Sequence, residues 1–134
     1  MNEIAEQLRE QALDTAFGLE LPELEDVVEV QEEILIHIPP IFRDYLLYCS
    51  DVIYGTLEPV TVNDANSHTY LPEVAAEAWA QGMPRDLIPM CRDGHQVYCI
   101  DQEDKVYLWQ EGNEEAEEVC EDMWHWVRDY WLVS

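Results

Sequence analysis

The chain has 134 residues, and its 30 Asp and Glu side chains against 6 Lys and Arg give a formal net charge of -24. Such a charge repels phosphates and anionic membrane surfaces, which argues against a general binder of nucleic acid or membranes. Because 48% of the residues are hydrophobic and five are Trp, the chain is not an acidic disordered segment. We expect residues 1–134 to fold as a single domain.

The first third of the chain predicts three helices. Residues 2–17 carry apolar side chains at helical spacing, and this N-terminal helix is expected to end at Gly18 and can lie at the periphery of the domain. A second, short helix is expected after Pro22, because apolar residues again recur among acidic ones. A third helix is predicted over residues 40–50. The apolar stripe of the second helix consists of Leu24, Val27, Val28 and Ile34.

The middle of the chain predicts a strand, a helix and then a β-meander. Residues 57–62 have the β-branched, alternating character of a strand, in which Pro59 indicates a sheet edge or a bulge. A helix is expected from about Pro72, and it stops at Gly82 and Pro84. Its apolar stripe consists of Leu71, Val74, Ala75, Ala78 and Trp79. Short strands then alternate with tight turns, which predicts an antiparallel arrangement. The three meander strands are expected at residues 87–91, 96–100 and 105–110.

The C-terminal part predicts the clearest helix of the chain, over residues 115–133. Its apolar face is expected to consist of Ala116, Val119, Cys120, Met123, Val127, Tyr130 and Trp131. Trp124 and Trp126 are two positions apart, so one helix face cannot bury both equally, and at least one is expected at the rim. Trp109 and Trp131 are expected to face inward. The element order predicts an α+β fold, in which helices cover one mostly antiparallel sheet.

Four spaced motifs carry a resemblance to a known family. They are the helix start Ile38–Leu47, the strand pair Leu87–Gly94 and Val97–Asp101, the strand Val106–Trp109, and the aromatic helix around Met123, Trp126 and Trp131. In this order they resemble the SUKH superfamily, the Smi-Knr family of yeast cell-wall synthesis regulators and bacterial toxin-immunity proteins. The resemblance implies structural roles for Pro39, Tyr45, Leu46, Pro89, Asp93, Gly94, Tyr98, Asp101 and Trp109.

The residues that could support catalysis form weak patterns. The four cysteines include no CxxC pair and the four histidines have no zinc spacing, so we predict neither a metal site nor a cofactor. Cys91 and His95 flank one turn, but the acidic surroundings oppose a reactive thiolate, and an enzyme with a Cys/His site is only a remote alternative. Asp101 is expected to hydrogen-bond the turn at residues 102–104, which is a structural role.

The acidic side chains are concentrated at the two ends of the sequence. Residues 1–39 and 101–134 hold 11 acidic side chains each, and these segments form one strongly negative surface if they meet. The candidate partner-binding residues are Glu111, Glu114, Glu115, Glu117, Glu118 and Trp126. The resemblance implies a non-enzymatic immunity protein that neutralises a cognate toxin, for instance a basic nuclease. The alternative is a scaffold or regulator that binds an endogenous partner.

The expected location is the cytoplasm. No apolar run approaches the roughly 18 residues that span a bilayer, and the N-terminus lacks the basic start and apolar centre of a secretion signal. The expected partner is therefore a protein, with a basic toxin domain as the first choice, rather than nucleic acid or a membrane. The sequence leaves the oligomeric state open.

Overall fold

Five strands form one antiparallel sheet in the computed structural model, which describes residues 3–11, 21–52 and 54–133. Each strand pairs with the next one along the chain, so the described sheet has a simple sequential order. The strands are β1 (Glu58–Pro59), β2 (Ile88–Asp93), β3 (Gln96–Ile100), β4 (Val106–Gln110) and β5 (Glu117–Cys120). Together with the helices, this sheet confirms the predicted α+β class.

Helices precede, interrupt and follow the strands. Those in the described residues are α1 (Glu3–Gln11), α2 (Leu24–Ile34), α3 (Pro40–Cys49), α4 (Leu71–Ala80) and α5 (Met123–Trp126), and α5 continues as a π-helical turn over Val127–Trp131. The remainder of the predicted N-terminal helix, residues 12–17, lies outside the described residues. None of the helices placed in the described ranges is long and apolar enough to cross a membrane.

Local sequence signals explain where these helices start and stop. Pro40 and Pro72 occupy first-turn positions of α3 and α4, where the missing amide proton of proline costs nothing. At the start of α2, the Glu23 amide donates to the Asp26 carboxylate at 2.8 Å, as in a capping box. The same helix ends at Leu35, whose φ of 61° is left-handed.

The sheet has a hydrophobic core on each of its faces. Alternate residues of β3 belong to different clusters: Tyr98 and Ile100 lie in the main core, and Val97 and Cys99 lie in the smaller one. Because successive side chains of a strand point to opposite faces, the two clusters lie on opposite sides of the sheet. The described part of α1 contributes to the main core, since Ala5 and Leu8 are fully buried. The smaller core consists of Ala78, Met83, Leu87, Val97, Cys99 and Trp109.

The predicted C-terminal helix over residues 115–133 is wrong in its first part. Residues Glu117–Cys120 form β5, and the helix begins only after Asp122, whose carboxylate accepts a hydrogen bond from the His125 amide at 3.0 Å. Glutamates at 114, 115, 117 and 118 would be like-charge neighbours at helical steps of three and four, which destabilises a helix. In an extended strand, pairing with β4 replaces the helical hydrogen bonds.

Two smaller predictions also need correction. The strand predicted over residues 57–62 is reduced to β1, which lies at the sheet edge as Pro59 indicates, with a separate parallel bridge between Thr61 and Tyr70. In α2, the buried stripe is formed by Val27, Val30 and Ile34, whereas two residues of the predicted stripe are exposed. These exposed residues are Leu24 and Val28.

Candidate functional site

The acidic segment before β5 is anchored to the sheet. The indole N–H of the buried Trp109 donates to the Asn113 carbonyl at 2.8 Å, and the Glu111 amide donates to the His95 carbonyl at 3.0 Å. Gly112 has a φ of 90°, a left-handed conformation that favours glycine, and it lets the chain turn back over Trp109. The segment is therefore held by a glycine turn and two hydrogen bonds to the sheet rather than by its own charged side chains.

Five exposed carboxylates follow one another along this segment and β5, and we call them the acidic edge: Glu111, Glu114, Glu115, Glu117 and Glu118. Positive charge near them is sparse. The ammonium of Lys105 lies 3.7 Å from Glu118, and the imidazole of His95 lies 3.1 Å from Glu111. The structure thus places the five glutamates that the sequence singled out on the outermost strand and its preceding loop, with Glu117 and Glu118 on opposite faces of β5.

Trp126, the sixth candidate, does not lie on this surface. Its side chain is 0% exposed and packs edge-on against Tyr98 with ring centroids 5.4 Å apart. A partner cannot contact it without opening the core, so its prediction as a partner-binding residue is wrong. Of the two neighbouring tryptophans, Trp124 is the half-buried one, and it packs edge-on against Tyr45 at 6.1 Å. The inward orientation predicted for Trp109 and Trp131 is confirmed, because both are fully buried.

The family-motif residues divide into core and turn positions. The buried ones are Pro39, Tyr45, Leu46, Pro89, Tyr98 and Trp109. Asp93 and Gly94 lie exposed at the β2–β3 hairpin, where Gly94 has a left-handed φ of 62°. Asp101 organises the β3–β4 turn, since its carboxylate accepts hydrogen bonds from the amides of Glu103 at 2.8 Å and Lys105 at 3.0 Å. The hydroxyl of Tyr107 also donates to Asp101, which raises the pKa of Tyr107 to about 12.

Sequence reasoning missed Asp104, which is one of the buried charged residues of the described chain. Its carboxylate accepts hydrogen bonds from the amides of Ile41 at 3.2 Å and Phe42 at 3.1 Å, at the start of α3. The N-cap residue of that helix, Pro39, has no side-chain acceptor, so Asp104 supplies the cap from a distant turn. Burial raises the pKa of Asp104, and these two hydrogen bonds oppose the rise.

The two acidic ends of the sequence meet in part, since α1 of the first end packs against α5 and its π-helical continuation in the second. Helix α2 packs against α3 and α4, whereas β5 packs against β4 and α5. The carboxylates of α2 and the acidic edge are therefore presented by elements that do not pack on each other. The two ends therefore meet through α1, whereas the carboxylates of α2 and those of the acidic edge stand on elements with different packing partners.

The cysteines offer no support for nucleophilic chemistry. Cys91 is fully buried, and burial raises the pKa of its thiol to about 12. The side chain of His95 is 93% exposed and pairs with Glu111 rather than with Cys91. Burial likewise raises the thiol pKa of Cys99 to about 12 and that of Cys49 and Cys120 to about 11. Within the described ranges, no group of three or more His, Cys, Asp and Glu side chains is placed to hold a metal ion.

Comparisons with known proteins give the family. A family model described as SMI1-KNR4 cell-wall (SUKH_5) matches residues 1–132. A crystal structure of a protein from Pseudomonas syringae pv. tomato superposes with a TM-score of 0.90 at 50% sequence identity, covering 100% of both chains. No curated protein matches. Since the family model spans almost the entire sequence, the chain belongs to the SMI1-KNR4, or SUKH, family.

Proposed function

We propose that this chain is a non-enzymatic binding protein that neutralises a cognate bacterial toxin, and that the acidic edge is its contact surface. The observation that carries the proposal is the set of five exposed carboxylates on an anchored loop and edge strand. A basic protein surface, such as the nucleic-acid cleft of a nuclease, has the complementary charge. Membership of the SUKH family supports a protein partner.

The geometry favours fast and specific association. Because the loop is held to the sheet by Trp109 and His95, its carboxylates need little ordering when a partner docks. A charge of -24 also steers a basic protein over distances of about one Debye length, roughly 10 Å at 0.1 M salt. In this proposal the acidic edge acts as a fixed mimic of a phosphate backbone.

The direct test mixes the purified protein with the toxin domain encoded beside its gene and measures association by surface plasmon resonance at low and high salt. We expect tight binding, an association rate that falls steeply with salt, and inhibition of the toxin at equimolar ratio. If no basic product of a neighbouring gene binds at low salt, the immunity role is wrong.

A second candidate function is regulation of an endogenous partner, which the cell-wall description of the family model favours. A capture experiment on cells lacking the neighbouring toxin gene separates the two. Binding of a housekeeping protein that depends on the acidic edge, together with no protection from the toxin, supports the regulatory function.

A further inference from the structure

A groove of about 530 Å³ opens between α2 and α4, away from the elements that form the acidic edge. Its floor is apolar, since Ile34 is buried at the end of α2 and the indole of Trp79 is half-buried on α4. Ala76 lines the groove with only a methyl group, which leaves room for a side chain of another molecule. The groove therefore offers an apolar surface on which an extended aliphatic chain can lie.

The rim of the groove is negatively charged. Glu33 on α2 and Glu73 on α4 both line it and are exposed. The hydroxyl of Tyr70, another lining residue, donates to Glu33 at 3.2 Å. Burial and the charges of Glu33, Glu29 and Asp26 raise the pKa of Tyr70, which places these carboxylates within electrostatic reach of the groove.

The cation in the lining, Arg85, already has its own partners. Its guanidinium donates to the Ile34 carbonyl at 3.2 Å and stacks 3.7 Å from the centre of the Trp79 ring. These two contacts hold the Arg85 side chain at one side of the groove. They also direct its charge at the negative C-terminal end of α2. The Lys and Arg ion pairs found in the described parts of the chain include neither Glu33 nor Glu73. Glu33 and Glu73 are therefore the carboxylates that can attract a cation of a binding partner.

We propose that the α2–α4 groove binds one protonated Lys or Arg side chain of a protein partner. The aliphatic stem of that side chain lies over Ala76 and Trp79, and its charged end lies between the carboxylates of Glu33 and Glu73. This inference rests on the proposed function only in taking a basic protein as the partner. The groove is a separate contact from the acidic edge, and short peptides test it without the toxin.

The test is an NMR titration of the intact, ¹⁵N-labelled protein with the capped tripeptides acetyl-Gly-Lys-Gly-amide and acetyl-Gly-Arg-Gly-amide. The uncharged acetyl-Gly-Gln-Gly-amide serves as the control ligand. We expect saturable shifts of the Trp79 indole N–H and of the Ala76 and Glu73 amides with the cationic peptides only. The double substitution Glu33→Gln and Glu73→Gln is expected to weaken this binding about fivefold, since it removes two exposed charge contacts.

A shape variant separates binding in the groove from general attraction to an acidic protein. Ala76→Leu fills the groove on an exposed helix position, and Ala80→Leu makes the same change on the same helix outside the groove lining. We expect Ala76→Leu to reduce the peptide-induced shift of Trp79 at least fivefold, and Ala80→Leu to leave it unchanged. The double variant Glu114→Gln and Glu115→Gln, on the acidic edge, is also expected to leave it unchanged.

Three results overturn the inference: equal shifts with the uncharged peptide, shifts spread evenly over all acidic surfaces, or groove shifts that persist in both groove variants. Each of these can occur whether or not the toxin binds. Failure of the immunity role would conversely appear as absent toxin binding with intact peptide shifts at Trp79.

Discussion

The carboxylate of Asp104 accepts a hydrogen bond from the backbone amide of Phe42 at 3.1 Å, across 62 residues of sequence. The contact joins the β3–β4 turn to the first turn of α3, where backbone amides have no partner within the helix. Asp104 itself has a left-handed φ of 67°, a conformation that Asp and Asn tolerate better than most residues. The side chain of Asp104 thus ties the β3–β4 turn to the start of α3.

Replacing Asp104 with alanine is expected to lower the free energy of unfolding by about 2 kcal/mol, since two buried amides lose their acceptor and alanine strains the left-handed backbone. Asp104→Asn keeps one acceptor oxygen and the backbone preference, so we expect a loss about half as large. Urea unfolding followed by tryptophan fluorescence measures both. Glu103→Ala, at the exposed neighbouring position, is the control. A loss from Asp104→Ala no larger than that of the control would contradict the capping role.

The N-terminal helix is attached to α3 by a forked ion pair. The guanidinium of Arg9 donates to the two carboxylate oxygens of Asp51 at 2.7 and 3.2 Å and to the Tyr48 carbonyl at 2.9 Å. Asp51 is nearly buried, so removing Arg9 leaves a poorly solvated carboxylate.

We expect Arg9→Ala to destabilise the fold by about 1–2 kcal/mol and Arg9→Lys to restore only part of this, because lysine lacks the planar fork. A double-mutant cycle with Asp51→Ala isolates the pair, and a coupling free energy near zero would show that the contact does not hold α1. Amide hydrogen exchange in residues 3–11 provides the second readout. Exchange should accelerate there in Arg9→Ala before it does so in the sheet.

The sequence predicted the meander well because its information is local. Asp93 and Gly94 specify a tight turn between alternating strands, and turn and strands lie within a short window. The same window of local periodicity misassigned β5, because Val119 and Cys120 fit a helical stripe with Met123 as well as they fit a strand. What decides between the two is the unpaired outer edge of β4, a tertiary feature that a local pattern does not contain.

For the candidate site, too, some features follow from local sequence and others depend on tertiary contacts. Exposure of the five glutamates follows from their charge, and the sequence identified them as a group. The burial of Trp126 does not follow from the sequence. The two-residue spacing between Trp124 and Trp126 excludes equal burial only if the helix is straight. In the structure the short α5 runs on into a π-helical turn, and Trp126 packs against both Tyr98 and Trp131. Asp104 was missed because its partners are more than 60 residues away.

Three buried thiols and the half-buried Cys120 predict slow thiol chemistry at neutral pH and a loss of stability at alkaline pH. The thiol pKa values of Cys91 and Cys99 are raised to about 12, and those of Cys49 and Cys120 to about 11. A raised pKa in the folded state means that the unfolded chain, with thiol pKa values near roughly 8.5, releases these protons first. Their contribution to stability is therefore complete below about pH 8.5 and is lost as the pH rises toward the folded values.

At pH 7.5 we expect Cys49, Cys91 and Cys99 of the native protein to react with Ellman's reagent at least about 100-fold more slowly than in the urea-unfolded chain, because these thiols are protonated and buried, and we expect the half-buried Cys120 to react first. The melting temperature should be nearly constant between about pH 7.5 and 8.5 and should fall above about pH 9. A melting temperature that rises through this alkaline range would contradict the assigned direction of the pKa shifts.

The role proposed for the acidic edge leads to a kinetic prediction. It separates the effect of charge at the contact surface from the effect of the net charge of the protein. Substituting Gln for Glu114, Glu115, Glu117 and Glu118 removes four charges from the contact surface. We expect association with the basic toxin domain to slow by about tenfold and its salt dependence to flatten, with a smaller change in dissociation.

The matched control also removes four exposed charges, from α1 and α2, through substitution of Gln for Glu6, Glu10, Glu25 and Glu32. Both variants carry the same net charge, so any difference between them reports where the partner docks rather than how strongly the protein attracts it at long range. Stopped-flow association at about 0.05 and about 0.3 M salt measures the two effects. Equal slowing in both variants would assign the effect to net charge alone, and slowing confined to the control would move the interface to the helical face of the molecule.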